Sequence, residues 1–109
     1  MAAFANLVES HPRTTFIGVH VGCDAENLQW VGALLDRCPN FYIDIAAGIG
    51  ELGPQPYRAR RFCMQYADRI LFGLDLPAHA ADYRVYYRFL ETDDEYFDYS
   101  RADVSPQGR

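Results

Sequence analysis

His20 and Asp75 are the residues whose type and place could do chemistry. His20 closes the apolar, β-branched run TTFIGVH, and Asp75 follows the run ILFGL. A neutral imidazole is a metal ligand or a base near neutral pH. A carboxylate is a hard ligand that can also take a proton from an activated water. On neighbouring parallel strands the two groups would converge over one end of a sheet. Plainer roles also fit the local pattern: a satisfied loop histidine, and a turn aspartate ahead of Pro77. Asp44 lies in or near the end of the apolar stretch FYIDIA. Burying it unpaired would cost several kcal/mol, so it needs a partner such as an arginine or backbone amides. Structural and functional roles suit it equally. His11, beside Pro12, reads as structural, and His79 could line a cleft.

The elements that must position these groups are legible as alternating patterns. Met1 to Ser10 reads as a helix, with Phe4, Leu7 and Val8 on one side and Pro12 ending it. Thr14 to His20 reads as a buried strand. After the loop Val21–Gly22–Cys23, Asp24 is expected to cap a helix whose stripe is Leu28, Val31, Leu34 and Leu35. Phe41 to Ala46 is the second strand, followed by a Gly/Pro-rich loop from Ala47 to Gln55. Pro56 suits the first turn of a third helix, with Ala59, Phe62, Cys63 and Tyr66 on one face. Ile70 to Gly73 is the third strand. Tyr83, Tyr86, Tyr87 and Leu90 share a helical face beyond Pro77. Thr92–Asp93–Asp94–Glu95 has the form of a capping box, and Val104 to Arg109 reads as frayed. The alternation predicts an α/β fold with a parallel sheet and right-handed crossovers. A doubly wound sheet and an arc of a (β/α)8 barrel both satisfy it, and both put chemistry at the carboxyl ends of strands.

Composition narrows the partners. The chain has 109 residues, 50% hydrophobic and 15% aromatic, with a formal net charge of -5. One domain with a core is expected. An acidic surface without clustered Lys/Arg argues against nucleic acid and anionic membranes. The one basic cluster, Arg58, Arg60 and Arg61, reads as a solvated helix face. Cys23, Cys38 and Cys63 form no C-x-x-C, which points to a reducing, cytoplasmic setting. No apolar run approaches the ~18 residues of a membrane span. Gly48-Ile49-Gly50-Glu51-Leu52-Gly53 spells G-x-G-x-x-G after a strand, the form of a dinucleotide fingerprint. Pro54 and Pro56 follow where that fold continues its helix, at a cost of about 3 kcal/mol each in an interior. Glu51 adds a negative charge where a pyrophosphate would sit.

The runs HPRTTFIGVHVG, ENLQWVGALLDRCPNFYIDIAAGIGELG, DRILFGLDLP and YYRFLETDDEYFDY, in that order, resemble the C-terminal part of the amidohydrolase-related (amidohydrolase 2) family of metal-dependent hydrolases and decarboxylases. The likeness runs from about Phe4 to the end. It implies the last three βα units of a (β/α)8 TIM-type barrel, with residues 1–109 as the C-terminal portion of one such domain. It also implies a divalent metal, usually zinc. His20 matches the family's acid/base histidine after the sixth strand. Asp75 matches the aspartate after the eighth, a metal ligand that also handles the proton of the attacking water. Phe41 to Ala46 matches the seventh strand. Leu74 stands where the usual F-G-T-D motif has threonine, and Pro54 where many relatives carry a basic residue. The family's H-x-H pair and the histidine of its fifth strand would lie upstream of Met1.

The resemblance therefore implies a fragment of a metal-dependent hydrolase. Its parent would use a metal-activated water to cleave C–N or C–O bonds of a small-molecule substrate, or would catalyse a related decarboxylation. Such a chain is expected to hold zinc weakly and to be inactive alone, since a zinc site needs three or four protein ligands and a whole barrel about 250 residues. The alternative expectation is a non-catalytic α/β interaction module that self-associates through exposed sheet edges.

Overall fold

The computed structural model describes residues 2–75 and 79–92. Its elements, in chain order, are α1 (Ala2–Ser10), β1 (Phe16–Gly18), the single turn α2 (Val19–Gly22), α3 (Leu28–Arg37), β2 (Phe41–Asp44), α4 (Ile49–Leu52), α5 (Pro56–Gln65), a 3-10 turn at Ala67–Arg69, β3 (Ile70–Leu71) and α6 (Ala80–Glu91). The strands form one parallel sheet in the order β1-β2-β3. Each strand is shorter than its apolar run. The expected Asp93–Glu95 part of a capping box and the frayed Val104–Arg109 stretch lie outside the described residues.

Register explains which residues face the core. Phe16 pairs with Phe41, Gly18 with Ile43, and Ile43 with Ile70. These side chains share one face, and the helices cover it. Phe41 and Ile43 are fully buried there with Val8, Val31, Leu34, Leu35 and Ala59 in a single cluster. Burying each large side chain contributes about 1.5–3 kcal/mol. The alternate positions, Ile17 paired with Tyr42 and Asp44 with Leu71, face the other way. Ile17 is 52% exposed and Leu71 43%. Among the described residues, the sheet is thus helix-covered on one side and bare on the other.

The α3 stripe is buried as its spacing predicts, and Pro56 opens α5 at its first turn. Arg58, Arg60 and Arg61 are exposed on α5, as a solvated face requires. Three local expectations are corrected. Asp24 does not cap α3: Asn27 does, its side chain accepting the Trp30 N–H at 3.3 Å. Leu7 is 49% exposed, because Ala5 and Val8 make the buried contacts of α1. Only Tyr86 of the expected α6 face is buried; Tyr83, Tyr87 and Leu90 remain exposed.

Polar side chains tie the pieces together. The Asn40 amide donates to the carbonyls of Thr14 (2.9 Å), His11 (3.1 Å) and Val8 (3.4 Å), fastening the end of α1 to the start of β2. The Arg69 guanidinium donates to the carbonyls of Cys38 and Phe41 and lies over the Tyr42 ring. His11 donates through Nδ1 to the Leu7 carbonyl at 2.9 Å, so its role is structural. His79 stands at the N-cap of α6, and its backbone N–H donates to Asp82 at 3.1 Å.

Candidate functional site

The end of β1 does not run straight into a loop. His20, Val21, Gly22 and Cys23 all have positive φ, at 57°, 55°, 68° and 60°. Together they make one left-handed turn, closed by the Cys23 N–H donating to the carbonyls of Val19 (3.1 Å) and His20 (2.9 Å). For L-residues this conformation costs roughly 1–2 kcal/mol per residue. Strain of this kind clusters at functional sites. Here it lifts His20 off the line of β1 and turns it over the end of β2.

The end of β2 and the residues just after it then hold His20 at two points. One carboxylate oxygen of Asp44, the last residue of β2, accepts the His20 backbone N–H at 2.9 Å. The same oxygen accepts the Ala46 N–H at 3.1 Å. The His20 ring Nδ1 lies 2.7 Å from the Ala46 carbonyl. Asp44 therefore has backbone amides for partners, one of the two solutions its setting demanded. This half-buried carboxylate is partnered without an arginine.

Asp75 enters from the far side of β2, beyond the end of β3. Its Oδ1 stands 3.9 Å from His20 Nε2, with the His20 side chain 37% and the Asp75 side chain 58% exposed. Gly73 packs beside the end of β2, with room for a Cβ. A Cβ there would stand 3.6 Å from the Ala46 Cβ and 3.9 Å from Asp44. The site is thus an open-topped patch at the carboxyl ends of three parallel strands, with one nitrogen and one oxygen aimed at a common point. The G-x-G-x-x-G stretch lies beside it as ordinary helical backbone: Gly48 has φ -87° and Gly53 φ -58°.

The donor types suit a divalent metal, but their number does not. Bonds near 2.1 Å place tetrahedral ligands about 3.4 Å apart, and structural or catalytic zinc takes at least three protein ligands. Among the described residues, no three His, Cys, Asp or Glu side chains converge. His20 and Asp75 supply two donors and do not by themselves make a closed metal site.

Two groups near the site were not legible as functional. The buried Tyr86 hydroxyl lies near the backbone of Ala47 and Ile49, which places α6 beside the loop after β2. Ala47 has φ 56°, a strained non-glycine position one residue after the carbonyl that binds His20. Nothing in the sequence marks either; a glycine at position 47 would have signalled the turn.

An α/β layer with a parallel sheet and a histidine–carboxylate pair over its carboxyl end is the arrangement that hydrolases of several kinds use. The family is specific: the amidohydrolase family model matches residues 1–107, nearly the whole chain, and the chain belongs to that family. A search of curated proteins and a search of solved structures gave no match. No helix among the described residues is long and apolar enough to cross a membrane.

Proposed function

We propose that this chain contributes His20 and Asp75 to the active site of a metal-dependent hydrolase of the amidohydrolase type. The observation that carries the reading is the approach of His20 Nε2 and Asp75 Oδ1 to 3.9 Å across the end of β2. A water set to one side of the pair, within reach of both, would find a base in His20 and a carboxylate acceptor in Asp75. His20 would hold or release a proton at Nε2, while Asp75 would orient the attacking water and take its proton. The reaction class is hydrolysis of a C–N or C–O bond in a small-molecule substrate, or a related decarboxylation.

The proposed parent architecture is the last three βα units of a (β/α)8 barrel. Sequential strand order and, among the described residues, helices on one face with the opposite face bare support it. A barrel interior is packed by side chains from its other strands, and Ile17 and Leu71 would meet them there. In the family a divalent metal, usually zinc, supplies the Lewis acid. With two donors here, the remaining ligands would come from the rest of such a barrel, and the chain alone would be inactive. The free Cys23, Cys38 and Cys63 accord with a cytoplasmic setting.

Zinc titration of the 109-residue chain, followed by NMR at the His20 and Asp75 side chains, tests this reading. Weak binding that perturbs both, and is lost in His20→Ala and Asp75→Ala, is expected. Zinc that leaves both side chains unperturbed would sink it. A second reading, self-association through the short edge strands β1 and β3, draws on the same bare face. Sedimentation as a concentration-independent monomer would remove it.

A further inference from the structure

We infer that Asp44 is a positioning residue that sets which ring nitrogen of His20 is free to act. The inference rests on the proposed role of His20 and deepens it. A backbone carbonyl only accepts hydrogen bonds. At 2.7 Å from the Ala46 carbonyl, His20 Nδ1 must therefore carry a hydrogen. A neutral imidazole has only one N–H. The lone pair is then on Nε2, the nitrogen that faces Asp75 at 3.9 Å. A base or a metal ligand at that point needs this tautomer, and the other would present an N–H to the site.

The Ala46 carbonyl does not take up this position unaided. The chain turns sharply at Ala47, where φ is 56°, and Ala46 lies two residues past the end of β2. The Asp44 carboxylate holds the Ala46 N–H at 3.1 Å, which anchors Ala46 through the peptide that leads into it. The same oxygen holds the His20 N–H at 2.9 Å, which fixes the residue whose ring must reach the carbonyl. Asp44 is thus the shared anchor of both partners of the Nδ1 bond. A hydrogen bond to an ionised acceptor is roughly twice as strong as one between neutral groups, so the carboxylate also offsets the left-handed backbone at His20. Its second neighbour across the sheet, Leu71, offers no competing donor side chain.

The test uses the 109-residue chain without metal, so it is separate from the zinc titration: loss of the metal reading would leave it standing. Nitrogen-15 shifts of the His20 ring report the tautomer directly at about pH 8.5, above the ordinary histidine range. The wild-type ring is expected as the Nδ1–H form. Asp44→Ala should release a mixture of the two tautomers, while the amide resonances of α3 stay in place. Asp44→Asn keeps an oxygen acceptor and should keep the tautomer. Its weaker, uncharged bond should cut exchange protection of the His20 amide about fivefold. An Asp44→Ala ring still wholly Nδ1–H, or His20 amide protection unchanged in Asp44→Asn, would overturn the inference. If the alanine variant does not fold, unchanged His20 amide protection in Asp44→Asn still overturns the inference.

Discussion

Gly18 lies flat against the ring of Phe41: a Cβ at Gly18 would stand 2.9 Å from Phe41 Cε1 and 3.0 Å from the Gly22 Cα. Phe41 is fully buried at the centre of the sheet and cannot swing aside. Gly22 belongs to the left-handed turn that carries His20. The absence of a side chain at Gly18 therefore lets β1, β2 and the turn close on one another. Gly18→Ala should lower stability by about 1–3 kcal/mol, the usual cost of overpacking. Urea denaturation followed by tryptophan fluorescence measures it. An unchanged midpoint would show that the junction has slack.

Ala47 offers the opposite experiment. Its φ of 56° is one that glycine adopts without penalty. An L-residue in this region costs roughly 1–2 kcal/mol, while glycine adds about 0.4–1 kcal/mol of unfolded-state entropy. Ala47→Gly should therefore stabilise the chain by about 0.5–1 kcal/mol. A destabilised variant would mean that the methyl group makes contacts outweighing the strain.

The order of elements could be read from the sequence because each βα unit carries its own period and its own punctuation. The α3 stripe Leu28, Val31, Leu34 and Leu35 is buried as written, and Pro56 marks the first turn of α5. His20 and Asp75 could be paired because a parallel sheet delivers successive strand ends to one edge. The left-handed turn could not be read, since three of its four residues are not glycine and no local propensity favours it. Nor could the grip of Asp44 on His20, 24 residues away, because the bond depends on how two strand ends meet. Asp44 announced only that it needed partners. The exposed flank of α6 misled for a related reason: helical spacing shows which residues share a face, not whether anything packs against it.

Arg69 closes the other end of the sheet. Its guanidinium donates to the carbonyls of Phe41 and Cys38 and stacks 5.2 Å from the Tyr42 ring centroid. Hydrogen bonds from a charged donor contribute about 1.5–3 kcal/mol. Arg69→Ala should cost an amount in that range. Arg69→Lys should recover only part of it, because an ammonium cannot reproduce the planar fork or the stacking. The comparison is read from thermal unfolding of the three chains. A lysine variant as stable as wild type would reduce the arginine to a simple charge.

Tyr86 ties stability to alkaline pH. Burial pushes its hydroxyl above the ordinary value of 10.0. The N–H groups of Ile49 and Ala47 favour the phenolate and pull the other way, and the nearby Glu51 and Asp44 carboxylates add to the upward push. Above pH 10 the unfolded chain thus loses this proton while the folded chain keeps it. Stability from the neutral hydroxyl is complete below that point and is lost as pH climbs through the folded value. Burial raises Tyr66 as well, helped by its bond to Asp36, and raises the Cys63 thiol from 9.0, so the alkaline decline begins with Cys63. Tyr86→Phe removes one contribution only. At about pH 8 the variant should be roughly 1 kcal/mol less stable, because the buried phenol oxygen near the Ile49 and Ala47 backbone is lost. As the pH passes the range of tyrosine ionisation, the wild-type and variant curves should converge. Parallel urea titrations across that range measure the gap, and a gap that stays constant would show that the Tyr86 proton is not linked to folding.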